Sequence, residues 1–254
     1  TANMEDLMKI KPDLIISMDN PLKPEIADQI QESTGIPVVV IDGSINKMEE
    51  AYRFAGKVLD REERSTVLAA YCRETVDLVS EKKRQLVDRS PVKVYYAEGR
   101  KGLETEPQGS WHTELIEFVG GVNAAGVDLP KGGDLGRSPV SMEQVLLWNP
   151  EVIIIGYFRE GETSSYAQIT ADGDWGDIAA VRNHRVYEIP TQPFNWFDRP
   201  PCINRLIGIR WMGNLLYPDI FTMDIRDEVK RFYHLFYHYS LTEQEVDDLL
   251  QRAQ

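Results

Sequence analysis

The stretch QPFNWFDRPP, which begins at Gln192, is the most unusual part of the sequence. It places three aromatic residues, an amide, an acid and an arginine between prolines, which stiffen a loop and lower the entropy lost on binding. Trp196 and Phe197 offer flat apolar area, and Arg199 offers a forked guanidinium for a carboxylate or another oxyanion. We predict that Trp196 and Arg199 contact a ligand. The alternative is a structural loop with a buried Trp196 and a surface ion pair between Arg199 and Asp198.

Further candidates lie at or just beyond the ends of segments that are predicted to be strands. In open α/β sheets, ligands bind outside the carboxyl ends of the strands. The candidates chosen on this basis are Asn20, Tyr96, Glu98, Arg100, Thr105 and Tyr157. Tyr96 and Tyr157 could cover a metal chelate or ligate iron, although strand tyrosines more often belong to the core.

The segment WHTELIEFVGG is predicted to be a helix that ends at its glycine pair. Ser110, Trp111 and His112 lie at its N-terminus, where backbone N–H groups favour anions. Ser110 equally suits a plain N-cap, whereas Trp111 and His112 join the predicted ligand contacts. His112 could reach a metal or an anion, although a lone histidine is more often solvated or satisfied by a neighbour. No metal site is assigned, and His112 and Tyr157 remain the possible ligands.

The sequence carries no pattern typical of an enzyme. His234 and His238 have the i, i+4 spacing of metal ligands, but no third ligand accompanies them, so RFYHLFYHY is interpreted as an aromatic helix face. No nucleophile elbow, P-loop or dinucleotide fingerprint occurs. Cys72 and Cys202 are the only cysteines and could pair or remain free thiols. We therefore predict no catalytic residues and no resident cofactor.

The composition argues against nucleic-acid binding and against a membrane-spanning segment. The net charge is −13, and no basic stripe is available to neutralise phosphates, which argues against nucleic acid. The sequence contains no run of eighteen apolar residues, so no segment is predicted to span a membrane. With 42% hydrophobic residues, the chain can form a substantial core.

Two segments repeat one pattern, NMEDLMKIKPDLIIS from Asn3 and SMEQVLLWNPEVIII from Ser141. In each, an amphipathic run is followed by proline, an acidic residue and a short run of branched aliphatic residues. The residue before proline is disfavoured in the helical region, so a helix should end there and a buried parallel strand should begin. The match favours two related lobes over two units of one sheet. Glu5 and Glu143 occupy equivalent positions at the starts of the two helices.

These features predict an α/β fold of two Rossmann-like lobes joined by a long rigid helix. Residues 1–60 form the remainder of the N-terminal lobe, residues 61–90 the interlobe helix and residues 91–222 the C-terminal lobe. The helix is predicted because the segment is rich in good helix formers and lacks proline until its end. The second lobe has a strand, a loop and a helix before its repeat, so we expect the first lobe to be incomplete at its N-terminus.

The repeat around a long helix resembles the class III (cluster A) substrate-binding proteins of ABC importers, which are receptors for ferric siderophores, haem and cobalamin. The segments that carry the resemblance, in the family's order, are NMEDLMKIKPDLIIS, GIPVVVID, GSWHTELIEFVGGVNAAG, SMEQVLLWNPEVIIIG and, from Trp175, W.DIAAVRNHRVYEIP. It implies that a ligand is held between two lobes and that helices in residues 223–254 pack back on the N-terminal lobe. It also implies that Glu5 and Glu143 dock onto the permease dimer; the alternative is that both merely cap their helices.

The resemblance implies a monomeric receptor, periplasmic or lipid-anchored on the cell exterior, that delivers a metal chelate to an ABC importer. A ferric siderophore is the favoured ligand, and haem, cobalamin, molybdate and a nickel or cobalt chelate remain open. Two other classes are a nitrogenase-like two-lobed enzyme subunit and a sensor or scaffold lobe. The first would need cluster cysteines, and the second would gain support from a membrane or signalling segment, which is not visible.

Overall fold

The computed structural model describes residues 4–18, 25–127, 137–156, 164–171, 173–199 and 201–254. The chain divides into two compact units, Thr1–Glu74 and Thr75–Gln254. Within the described ranges, no helix is both long enough and apolar enough to cross a membrane.

The first unit contains a small parallel sheet and its helices. Its elements are α1 (Met4–Ile10), β1 (Ile15–Met18), α2 (Ile26–Thr34), β2 (Val38–Ile41), α3 (Met48–Val58) and the start of α4 (Glu62–Lys83). Strands β1 and β2 are parallel, with Ile15 opposite Val38. The predicted long helix is α4, but it ends at Lys83, followed by a 3-10 turn at Arg84–Leu86, rather than near Asp88. The division between the two units falls inside this helix.

The second unit is an α/β layer structure around a larger sheet. Its remaining elements are β3 (Lys93–Ala97), β4 (Glu104–Thr105), α5 (Glu114–Phe118), β5 (Val122–Asn123), β6 (Ser138–Pro139), α6 (Met142–Trp148), β7 (Val152–Ile155), α7 (Tyr166–Thr170), α8 (Ala179–Arg182), β8 (Val186–Glu188), α9 (Arg205–Leu216), α10 (Ile225–Tyr237) and α11 (Glu243–Leu250).

Four parallel strands of the second unit pair in the order β5-β3-β7-β8, and β4 pairs antiparallel with β6. All four residues of β7 are buried, as expected for a strand covered on both faces. Alternate residues of β3 face opposite sides of the sheet. Tyr95 packs in a core with Trp175, whereas the ring of Tyr96 lies 5.2 Å from that of Phe197. The candidate site lies on the side of β3 that Tyr96 faces.

The repeated segments have the same local structure. Helices α1 and α6 each contain seven residues, and strands β1 and β7 each contain four. The residues before the two prolines, Lys11 and Asn149, have φ values of 48° and 44°. Both have therefore left the right-handed helical region at the predicted point, and the prediction of a helix followed by a strand is confirmed in both copies.

The final helices pack within the second unit. Arg210 on α9 pairs with Glu228 on α10, with 3.0 Å between Nη1 and Oε2, and Trp211 donates from Nε1 to the carbonyl of Ala253 over 2.6 Å. The predicted packing of residues 223–254 on the N-terminal lobe stays a prediction, as do the two-lobed arrangement and the linking role of the helix.

Candidate ligand-binding site

Strand β3 ends in a tight turn that reverses the chain. The backbone N–H of Glu98 donates to the carbonyl of Glu104 over 2.8 Å, and the carbonyl of Glu98 accepts from the N–H of Glu104 over 3.2 Å. Gly99 has a φ of 71°, in the left-handed region that glycine enters without steric cost. The turn brings β4 and the polar segment that follows it to the carboxyl end of β3.

Six charged or titratable side chains meet at this end of the sheet, and we refer to them as the charge cluster. Its members are Glu98, Glu106, His112, Arg137, Asp198 and Arg199. The side chain of Arg199 is 20% exposed, whereas none of the other five exceeds 4%. Buried charges are costly unless they are paired, so the pairing within the charge cluster determines whether it is stable.

Arg199 is surrounded by carboxylates. Its Nε lies 3.2 Å from Oδ2 of Asp198 and 3.7 Å from Oε1 of Glu98, and its Nη2 donates a hydrogen bond to Glu106. Arg137 approaches the same Glu98 oxygen, at 3.4 Å from its Nε. Burial alone would lower the pKa of Arg199, but Asp198 and Glu98 raise it. The guanidinium therefore stays charged and is held in one orientation.

The carboxyl of Glu98 is strongly perturbed by its surroundings. Desolvation by burial raises its pKa from 4.5 to about 8, although Arg199 and Arg137 act in the opposite direction. Asp198 and Glu106 add to the rise because like charges disfavour ionisation. Neither carboxyl oxygen of Glu98 accepts a hydrogen bond from the described residues. Glu98 is therefore largely protonated at neutral pH.

Asp198 is held from several sides. Tyr96 donates its hydroxyl to Oδ1 over 3.0 Å. Nδ1 of His112 lies 2.7 Å from Oδ2, at ion-pair distance but without the angle of a hydrogen bond. The predicted alternative of an Asp198–Arg199 pair is therefore partly right, because the pair exists but Asp198 is only 1% exposed rather than on the surface.

Ser110 acts as the predicted N-cap. Its hydroxyl accepts from the backbone N–H of His112 over 3.3 Å and donates to Glu106 over 2.9 Å. This fixes the 3-10 turn at Trp111–Thr113 beside the charge cluster. Trp111 is 38% exposed, and its ring lies 3.9 Å from that of His112, so it covers the buried imidazole from outside.

The Gln192–Arg199 loop is anchored on α9. A Cβ on Gly208 would lie 1.9 Å from the carbonyl oxygen of Trp196, so only glycine permits this approach. Oδ1 of Asn195 accepts from the backbone N–H groups of Phe197 and Asp198, over 2.7 and 3.2 Å. These contacts fix the backbone from which Asp198 and Arg199 extend.

The structure brings four of the predicted ligand contacts together: Tyr96, Glu98, His112 and Arg199. Trp196 instead packs in the core at 0% exposure, 6.4 Å from the ring of Trp211, because the anchored loop turns it inward. Its role in ligand contact stays a prediction that this conformation does not favour. Of the remaining candidates, Thr105 is buried on β4, Arg100 and Trp111 are exposed, and Asn20 and Tyr157 lie outside the described residues.

Sequence reasoning missed Glu106 and Arg137 and treated Asp198 only as a surface partner. Glu106 follows the two-residue strand β4. Arg137 precedes β6, which is equally short and pairs with β4. Strands of this length leave no periodic signal. The one available signal was the density of charged residues in the loops after predicted strands.

Glu5 and Glu143 lie in the first turns of α1 and α6, and both are exposed. The capping box of α6 is formed by Ser141 with Gln144. A hydrogen bond from Ser141 is the main cause that lowers the pKa of Glu143. Glu143 therefore presents a surface carboxylate without forming the cap itself, and the docking role of both glutamates stays a prediction.

Among the described residues, no group of three or more histidine, cysteine or acidic side chains is arranged to hold a metal ion. Cys72 and Cys202 are both free thiols, and burial raises the pKa of Cys72 to about 12.

A polar site at the carboxyl ends of parallel strands lies where open α/β sheets bind their ligands. Residues 1–193 match the family described as Periplasmic binding protein, so the chain belongs to that family, and the class III resemblance is confirmed. The protein is thus an ABC-transporter solute-binding protein, a transport receptor rather than an enzyme.

The chain is similar to solute-binding proteins from several bacteria. An ABC transporter solute binding protein from Sulfurospirillum deleyianum has a solved structure that is 32% identical, with a TM-score of 0.89 over 99% of this chain and 76% of that chain. The molybdate-binding protein MolA of Haemophilus influenzae is 26% identical over 94% of this chain and 71% of its own length. The vitamin B12-binding protein of Vibrio cholerae is 24% identical over 79% of this chain and 67% of its own length.

Proposed function

We propose that this receptor captures a metal complex with negatively charged oxygen atoms at the carboxyl end of β3 and delivers it, outside the cytoplasm, to the permease of an ABC importer. The observation that carries the proposal is the guanidinium of Arg199. It is charged, fixed by Glu106 and Asp198, and the most exposed member of the charge cluster. Arginine is suited to planar, forked recognition of carboxylates and oxyanions.

The surrounding carboxylates restrict what can bind. A bare metal cation would meet Arg199 and would find no ligand set among the residues that the structure describes, whereas a free anion would meet the carboxylates of Glu106 and Asp198. A complex that is bulky, with its anionic groups on one side, can contact the guanidinium while its remaining surface avoids the acids. A ferric siderophore with carboxylate or catecholate oxygens has this character and is the first candidate.

The second candidate is molybdate, a compact metal oxyanion. It is favoured by the alignment with the molybdate-binding MolA, which spans 94% of this chain. Oxyanions accept several N–H donors at once, so molybdate would need donors beside Arg199. Arg100, which follows Glu98 in the same turn, is one residue that could supply them.

The test is a binding screen by isothermal titration calorimetry with a ferric catecholate, a ferric hydroxamate, haem, cobalamin, molybdate and nickel–histidine. The informative variant is Arg199→Lys, because it keeps the charge that balances the buried acids and removes only the fork. We expect one ligand to bind saturably and Arg199→Lys to weaken it about tenfold, equivalent to about 1.4 kcal/mol. Arg89→Lys is the matched control, since Arg89 is 50% exposed and pairs with Asp219 elsewhere in the second unit.

Binding of a ligand with equal affinity by Arg199→Lys and the native chain would place the site elsewhere. Saturable binding of cobalamin or nickel–histidine alone, neither of which carries a net negative charge, would replace the anionic complex as the cargo. Circular dichroism at the same pH confirms that the variant is folded, so that lost affinity is not lost structure.

We further propose that Glu5 and Glu143 dock the receptor onto the permease. Matching exposed carboxylates in the two copies of one repeat suit electrostatic recognition, which governs orientation and association rate more than affinity. Glu5→Arg and Glu143→Arg should abolish transport by the reconstituted importer and leave ligand affinity unchanged. Glu81→Arg, at an exposed position on α4, is the control; transport that survives both substitutions would refute docking.

A further inference from the structure

A second cavity, unrelated to the charge cluster, lies beside the C-terminal helices. It has a volume of about 490 Å³ and is lined mainly by carbon atoms. We refer to it as the tyrosine pocket, and the lining residues that matter here are Pro193, Tyr233, Tyr237, Tyr239, Glu245 and Asp248. A volume of this size is within the range of small-molecule sites, about 300–1,000 Å³.

The end of α10 produces the aromatic wall. Tyr233 and Tyr237 are four residues apart, which places them on one face of the helix, and their ring centroids are 5.5 Å apart at 48°. His238 ends the helix with a φ of 54°. The chain then turns, and Tyr239, which is 49% exposed, reaches the same cavity.

The tyrosine hydroxyls are already engaged, so the rings present mainly their carbon surface to the cavity. Tyr233 donates to the backbone carbonyl of Gln192 and Tyr237 to the side-chain oxygen of Asn204. Tyr239 donates to Glu245 over 2.5 Å. The rings are thereby fixed before any ligand arrives, which lowers the entropy that binding must overcome.

The charge of the pocket is negative. Glu245 and Asp248 line it, and the described residues contribute no lysine or arginine to its lining. The hydrogen bond from Tyr239 lowers the pKa of Glu245, so this carboxylate is ionised at neutral pH. Arg252 lines the adjoining cavity instead, where its Nη1 is paired with Glu188 over 3.0 Å.

We propose that the tyrosine pocket binds a small organic ammonium cation. The negative faces of aromatic rings attract such cations, and each well-placed ring strengthens binding about twofold to thirtyfold. The two carboxylates add long-range attraction. An anion would be repelled by the same carboxylates. An uncharged apolar molecule would gain nothing from them. The pocket therefore has the opposite charge preference to Arg199 in the proposed solute site.

The test compares choline with its uncharged isostere, 3,3-dimethyl-1-butanol, by calorimetry on the full 254-residue chain. We expect saturable choline binding and at least tenfold weaker binding of the alcohol. Tyr239→Leu should weaken choline binding about twofold to thirtyfold, whereas Tyr239→Phe, which keeps the ring, should retain it. Asp248→Asn should weaken it severalfold, whereas Asp219→Asn, at an exposed acid in the same unit, should not.

Three outcomes would overturn the proposal. They are absence of saturable choline binding, equal affinity for the alcohol, and choline affinity that is unchanged in Tyr239→Leu. Thermal melts of each variant control for folding, and Tyr239 is suitable because its side chain is half exposed. Retention of choline binding in Arg199→Lys would show that the pocket is separate from the proposed solute site.

Discussion

The buried carboxyl of Glu98 should make the stability of the second unit depend on pH. Its folded-state pKa is about 8 because burial opposes ionisation, against 4.5 for an exposed glutamate. Between these values the native chain retains a proton that the unfolded chain releases. The free energy of unfolding contributed by Glu98 is therefore fully present below pH 4.5, falls as pH rises and becomes constant above about pH 8.

Glu98→Gln removes this titration while retaining the shape and neutrality of the protonated acid. A tenfold change in proton affinity corresponds to about 1.4 kcal/mol. Integration of the linkage relation over pH 5 to 9 then gives an upper limit of about 4 kcal/mol by which the variant should gain on the native chain. Below about pH 8 the variant removes no anionic partner from Arg137 and Arg199, because Glu98 of the native chain is protonated there. Above that pH the attraction of the two arginines for ionised Glu98 is already contained in the pKa of about 8.

The assay is urea unfolding followed by tryptophan fluorescence at pH 5, 6, 7, 8 and 9. All the tryptophans lie after Thr75, so the signal reports the second unit. Glu104→Gln is the matched control, since this carboxylate also faces Arg137, at 3.4 Å, but its side chain is 40% exposed. If the difference between Glu98→Gln and the native chain stays within about 0.5 kcal/mol from pH 5 to pH 9, Glu98 does not carry a proton at neutral pH and the reasoning fails.

Two substitutions test how the site is held in place. Gly208→Ala should destabilise the second unit by at least about 2 kcal/mol, because the new Cβ meets the backbone carbonyl of Trp196 at 1.9 Å and backbone cannot rotate away; an unchanged thermal midpoint would contradict this. Ser110→Ala should cost about 1 kcal/mol, since it removes the cap on His112 and the hydrogen bond to Glu106. For this variant Ser110→Thr, which keeps the hydroxyl, should restore most of the loss in the same melt.

The regular elements were predictable where chain chemistry imposes them locally. Pro12 and Pro150 forced the chain out of the helix at Lys11 and Asn149, and the aliphatic run of β7 was recognisable as a buried strand. The end of α4 was less predictable, because the residues after Lys83 still have good helix propensity and give no stop signal before Pro91. Local propensity determines that a helix forms but only weakly determines where it ends.

The candidate site was predictable in position and only partly in membership. The rule that ligands lie beyond the carboxyl ends of strands selected Glu98 and Arg199, and the helix N-terminus selected His112. The structure places these three side chains close together. Whether Trp196 contacts a ligand stays a prediction. An aromatic residue in a proline-rich loop fits a ligand surface and a core equally well, and here Trp196 is buried. Its burial depends on the contact with Gly208, a long-range approach that no local pattern reports.

The arrangement of the charge cluster has a physical cost that needs a reason. Replacement of a buried ion pair by apolar residues is often neutral or stabilising, so such pairs are poor evidence for stability alone. Here the carboxylates of Glu106 and Asp198 fix the guanidinium of Arg199 at the mouth of the site, while Glu98 avoids the full charge cost by remaining protonated. A side chain fixed in this way loses little entropy when it binds a ligand. The buried acids are thus best understood as the support for one oriented arginine, which is what the proposed recognition of an anionic group requires.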